Sequence, residues 1–140
     1  ADTTSITAWT NVFGFTGAAT NGQHFDIEAV GDSGTNATLG YYGLHRHGWE
    51  FNILPIDLEW HYLAATFDGT TVTWYGDGLP IGSDEVTNVA TPGAFHVGKR
   101  QDNENFFPGA VDDVRVYDRA LTDGEIASLA GRTMPVHKPF

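Results

Sequence analysis

The sequence contains no cysteine, which removes disulfides, thiol catalysis and cysteine-based metal centres from consideration. Positive charge is scarce. Seven lysines and arginines stand against 18 aspartates and glutamates, a formal net charge of -11. A field of that sign repels phosphate backbones and anionic lipid surfaces, so nucleic acid is not an expected partner, whereas divalent cations are attracted. No apolar run approaches the ~20 residues of a membrane-spanning helix, so membrane insertion is not expected either. No signal peptide pattern is visible, and the opening Ala1-Asp2-Thr3 suits a mature end left by cleavage after a small residue. Helical periodicity is nearly missing as well. Hydrophobic residues make up 41% of 140 positions and there are 17 glycines, enough apolar surface for one domain and a composition that points to β structure.

Residues 60–78 organise the chain: WHYLAATFDGTTVTWYGDG. Two runs rich in β-branched and aromatic residues flank Asp68-Gly69, the strongest short hairpin signal. Strand alternation puts Leu63, Ala65 and Phe67 with Val72 and Trp74 on one apolar face. Asp77-Gly78 is a second turn, feeding a strand over residues 79–82. Further strands are expected over residues 5–15, 23–30, 39–46, 49–53, 94–99 and 110–117, with loops at 16–22, 31–38 and 100–108 and a polar passage at 84–92. In the second of these strands Phe25, Ile27 and Ala29 share one face and His24, Asp26 and Glu28 the other. Thr122-Asp123-Gly124-Glu125 has the form of a capping box and predicts a helix of about two turns, with Ile126 and Leu129 facing the core and Gly131 ending it. The expected organisation is one domain over residues 1–131 and a tail over 132–140.

Three segments together resemble the laminin G-like branch of the concanavalin A-like jelly rolls: residues 60–69 (WHYLAATFDG), residues 74–82 (WYGDGLPIG) and residues 109–126 (GAVDDVRVYDRALTDGEI). The third is the most specific, with a strand, an Arg-Ala-Leu corner and a capped helix in order. The resemblance covers about residues 5–129. It implies an all-β, two-sheet antiparallel jelly-roll sandwich with one short C-terminal helix, in a secreted or cell-surface protein. Relatives mostly bind glycans or extracellular proteins and are mostly not enzymes. Two departures stand out. The family pattern opens with a strand Leu-x-Phe-Asp-Gly that residues 1–4 do not supply, and Gly76 stands where an apolar strand residue is usual.

The resemblance makes Asp112 the candidate calcium ligand, because the first acid of this strand often holds a structural calcium. Calcium takes six to eight oxygens, so backbone carbonyls or water would complete the set. The alternative is a plain strand aspartate beside Arg115. With Val114 and Val116 expected to face inward, Asp112 would share their side and be partly buried, while Asp113 would face out. Residues 102–105 and 32–36 are acidic or amide-rich loops that fit calcium less well than simple solvation. Residues 24–31 resemble the Glu-x-Asp-x-Glu run of jelly-roll glucanases, with Asp26 and Glu28 in the second and third places. His24 occupies the nucleophile's place, and imidazole cannot form the usual glycosyl ester, so the retaining mechanism is broken as written. Either this is the outward face of a strand or a degenerate glucanase site that keeps sugar binding.

His45, His47 and Trp49, with Tyr41 and Arg46 nearby, form a concentration of imidazole and aromatic groups. A flat ring stacks on a pyranose while imidazole and carboxylate groups bond its hydroxyls, so this cluster suits sugar recognition. Alternate histidines also suit zinc or copper if His61 or His24 supplies a third ligand. Asn36-Ala37-Thr38 is a glycosylation acceptor pattern. The leading expectation is therefore a non-catalytic extracellular module that recognises carbohydrate, or a surface protein, with a structural calcium. A structural subunit self-assembled by strand exchange through a terminus, residues 1–4 or 133–140, is the second reading. A glucanase-like hydrolase with altered chemistry is the third.

Overall fold

The computed structural model describes residues 10–17, 24–32, 36–42, 52–55, 59–85, 92–99 and 106–132. Among these residues eight strands and one helix follow in order: β1 (Thr10–Gly17), β2 (His24–Asp32), β3 (Asn36–Tyr42), β4 (Asn52–Pro55), β5 (Leu63–Phe67), β6 (Thr71–Gly76), β7 (Leu79–Glu85), β8 (Pro92–Val97) and α1 (Asp123–Leu129). Every pairing among the described strands is antiparallel. One sheet has the order β4-β3-β2-β1-β8 and the other β5-β6-β7. No described helix is long and apolar enough to cross a membrane.

The chain divides into two compact units, residues 1–59 with 86–115, and residues 60–85 with 116–140. In the first, β2 pairs on both sides: Phe15 with Phe25 and Phe13 with Ile27 on β1, Ile27 with Tyr41 and Ala29 with Leu39 on β3. Directly opposed residues of an antiparallel pair share a face, so the register collects the aromatic and branched residues of three strands on one side. β8 extends the row, with Phe95 opposite Phe15 and Val97 opposite Phe13. The Phe13 and Phe95 rings lie diagonally on this face, 6.2 Å apart and tilted by 48°, a favourable aromatic geometry. β1 carries register shifts between Asn11 and Phe13 and between Phe15 and Gly17.

The second unit is built on the hairpin of β5 and β6. The Asp68 side chain closes its turn by accepting from the Thr70 and Thr71 N–H groups at 2.9 and 2.8 Å, which makes the reversal local. Ala65 pairs with Trp74 and Phe67 with Val72, so the apolar face read from the sequence is present. Val72 and Trp74 are buried, 2% and 5% exposed. On the opposite face Tyr75 packs with Leu121 and Ile126, and Tyr62, Ala64 and Leu129 close around them. Burying Ile126 alone is worth about 1.5–3 kcal/mol. The helix is held at both ends. Thr122 N–H donates to Glu125 Oε2 at 2.9 Å and Glu125 N–H to Thr122 Oγ1 at 3.3 Å, the reciprocal cap expected. At its other end Arg132 N–H reaches Ala127 O and Gly131 N–H reaches Ser128 O, so the final carbonyls are satisfied.

Three expectations are corrected. The loop expected at 31–38 gives up both its ends to strands: β2 continues to Asp32 and β3 begins at Asn36, with Asn36 opposite Asp32. Asparagine and threonine disguised that strand, but seven ladder positions override local preference. The strand at 79–82 extends to Glu85. Residues 110–117 form no strand, and Val114 and Val116 do not face inward: they are 46% and 63% exposed. Here local bonds win. The Asp113 N–H donates to Asp112 Oδ1 at 2.7 Å, Arg115 clamps the Asp113 carboxylate through Nε and Nη2 at 2.8 Å each, and Asp113 sits at φ 52°. A left-handed residue interrupts a ladder, and such side-chain bonds compete with one. Residues 1–9, the turn expected at 47–48, the loop at 100–105 and the tail at 133–140 lie outside the described residues.

Candidate functional site

β2 sets one face of the five-stranded sheet. His24, Asp26 and Glu28 occupy alternate positions of an unbroken strand, so they share a face, spaced by about 6.8 Å along the backbone. The register brings non-local residues beside them. Asp26 is opposite Tyr42 on β3 and opposite Gly14 on β1, and Gly14 is opposite His96 on β8. Tyr42, Asp26, Gly14 and His96 therefore form one row across four strands. Glu28 lies between Gly40 and Asn11, and His24 opposite Thr16.

Gly14 is buried and contributes no side chain to the row, and Asp26 and His96 lie two strand spacings, about 9.6 Å, apart along it. His96 is partly buried, and its buried Nε2 has no hydrogen-bond partner among the described residues. A buried imidazole nitrogen without a partner is costly, which marks this end of the row as a place where a polar group is wanted. Acceptors and donors alternating along a strand face can bind the hydroxyls of a sugar.

A second polar cluster belongs to the other unit. His61 Nδ1 lies 3.0 Å from Asp77 Oδ2, and Tyr62 N–H donates to Asp77 Oδ1 at 3.0 Å. Asp77 N–H in turn donates to Tyr62 O at 2.8 Å, and Asp77 O accepts from Arg132 Nε. These bonds tie the start of β5 to the turn between β6 and β7. His61 is thus engaged by Asp77 within the second unit.

Asp112 is exposed, on the stretch that is not a strand, and its Oδ1 is taken by the neighbouring N–H. The partly buried position expected for it is corrected accordingly. Among the described residues no three His, Cys, Asp or Glu side chains gather as a metal site. Asp112 offers one carboxylate, so a calcium there would draw most of its oxygens from backbone carbonyls. His45, His47 and Trp49, and the acidic loop at 102–105, lie outside the described residues. Sequence reasoning missed Tyr42 and His96 as companions of Asp26. Their only signal was strand alternation, and which strands neighbour β2 is not local information.

No curated protein matches this chain. A solved structure, that of an S-layer domain-containing protein from Clostridium thermocellum, is similar at 21% identity with a TM-score of 0.42, over 90% of this chain and 64% of its own length. A laminin G-like family model, described as the concanavalin A-like lectin/glucanases superfamily, matches residues 1–127. With antiparallel sheets, a single short helix among the described residues and that match across most of its length, the chain belongs to the laminin G-like family of the concanavalin A-like lectin/glucanase superfamily.

Proposed function

We propose that this chain is a non-catalytic recognition module, secreted or displayed at a cell surface, that binds carbohydrate on the polar face of its five-stranded sheet. The observation that carries the reading is the row across β3, β2, β1 and β8, in which Asp26 is in register with Tyr42 on β3 and, through Gly14, with His96 on β8. Asp26 and Glu28 accept hydroxyl hydrogens, His24 and His96 supply imidazole, and Tyr42 supplies a ring on which a pyranose can stack. Family membership supports a ligand of this class. His24 in place of a carboxylate supports binding without hydrolysis, because it removes the group that would form the glycosyl ester. His45, His47 and Trp49 are proposed to extend the sugar contact. A calcium held by Asp112 and backbone carbonyls is proposed as structural, not as a reactant.

A glycan array probed with and without calcium tests this reading. Selective binding that Asp26→Asn and Glu28→Gln both weaken supports it, and no binding under either condition contradicts it. The alternative enzyme reading rests on Asp26 and Glu28 alone. Release of reducing sugar from β-glucans, abolished by Glu28→Gln, would establish that reading instead. Assembly through exchanged termini is a further reading, and sedimentation of the chain beside a version ending at Gly131 addresses it.

A further inference from the structure

Among the described residues, the five strands of the larger sheet carry none of the chain's seven lysines and arginines. The acids of those strands are Asp26, Glu28 and Asp32, all at alternate positions of β2 and therefore on one face. Along the strand Glu28 stands about 6.8 Å from Asp26 and about 13.6 Å from Asp32. The register surrounds them with uncharged residues. Asp26 lies between Tyr42 and Gly14, Glu28 between Gly40 and Asn11, and Asp32 opposite Asn36, with Thr38 opposite the intervening Val30. The described arginines bond elsewhere: Arg115 to Asp113, Arg119 to Glu125 and Arg132 to the Asp77 carbonyl.

A ligand on this face meets carboxylates that no cation of the sheet offsets, in a chain of net charge -11. A carboxylate or sulfate on the sugar is repelled. At about 7 Å, each like charge costs on the order of tenfold in affinity once water is partly displaced. Hydroxyl and ammonium hydrogens meet the reverse situation. Ionised carboxylates only accept, so each such hydrogen finds a match, and charge-assisted bonds are the stronger kind. Asparagine, threonine and tyrosine, the residues at the flanking positions, both donate and accept and so suit a sugar hydroxyl in either role.

Resting on the assignment of sugar binding to the β2 face, we propose that Asp26, Glu28 and Asp32 select its ligands by charge: the face takes glycans without anionic groups, neutral or amine-bearing, and refuses carboxylated and sulfated ones. The test is the whole chain on an array of neutral, amine-bearing, carboxylated and sulfated glycans of matched backbone. At low salt the first two classes are expected to bind about tenfold or more tightly than their anionic counterparts. Because the exclusion is electrostatic, salt near 1 M, where the screening length is about 3 Å, is expected to narrow that ratio and leave binding of the neutral class unchanged. Glu28→Lys is expected to shift the ratio toward anionic glycans by about tenfold or more at low salt, a change that a merely structural role would not produce. If this variant loses the wild-type circular dichroism spectrum, the salt series on the wild type carries the test. Equal or tighter binding of anionic glycans, with or without calcium, would overturn the proposal, as would a ratio that salt leaves unchanged. In those cases binding that Asp26→Asn weakens would leave the sugar reading of the face standing. No binding to any class would overturn that reading and the proposal with it.

Discussion

Gly78→Ala should damage the second unit by an amount that the geometry sets. Gly78 is buried in the turn between β6 and β7 at φ 80°. A Cβ there would lie 2.8 Å from Ala130 Cβ, 3.0 Å from Arg132 Cδ and 3.2 Å from Ala127 Cα. The arginine stem can swing aside, but the other two atoms belong to the helix and its cap and cannot. The left-handed conformation costs a non-glycine residue about 1–2 kcal/mol, and overpacking adds about 1–3 kcal/mol. The expected loss is therefore about 2–5 kcal/mol, at roughly 3–4 °C of melting temperature per kcal/mol for a chain of this size. Gly69→Ala is the control. Gly69 sits at φ 104° with nothing within 4 Å of its Cβ position, so it should show the conformational cost alone. Thermal and urea unfolding followed by circular dichroism compare the two variants. Equal losses would refute the close approach of the turn to the end of α1, and with it the packing assigned to this unit.

Tyr75→Phe should cost about 1 kcal/mol in urea unfolding, because it removes the 2.7 Å bond that Tyr75 donates to Asp123 from a buried ring. Arg119 bonding, reinforced by the Thr122 N–H, holds the Glu125 carboxyl at about 2 instead of its ordinary 4.5. That contribution to stability is complete above pH 4.5 and is lost as the pH falls toward 2, so Glu125→Gln should flatten the pH dependence of melting within that window. Asp112→Ala and Asp113→Ala both alter exposed residues and should melt within about 0.5 kcal/mol of each other without calcium. Added calcium should raise the melting temperature of the wild type and Asp113→Ala but not of Asp112→Ala, and an equal rise in all three would remove Asp112 from the proposed site.

Legibility in the sequence followed the range of the forces involved. The hairpin around Asp68 and the cap at Thr122 and Glu125 are closed by bonds between residues two to three positions apart, and they stand where the sequence puts them. The alternation of β2 was equally plain. β3 was mistaken at its start, because Asn36 favours turns and only pairing along β2 makes it a strand. Residues 110–117 failed in the opposite direction. Their alternation promises a strand, but the adjacent Asp112 and Asp113 with Arg115 satisfy one another locally and turn the backbone left-handed. At the candidate site the three β2 residues could be read together, whereas Tyr42 and His96 joined them only through strand order.

The central claim is that the β2 face binds sugar. Calorimetric titration of an oligosaccharide chosen by the glycan array, into wild type, Asp26→Asn, His96→Ala and Asp84→Asn, tests it most directly. Asp84 lies on β7 in the other unit and serves as a charge-matched control. The expected result is affinity lost by about tenfold or more in the Asp26 and His96 variants, from lost hydrogen bonds to the sugar, and retained in Asp84→Asn. Undiminished affinity in Asp26→Asn and His96→Ala, with all variants folded, would contradict the assignment of the site to this face.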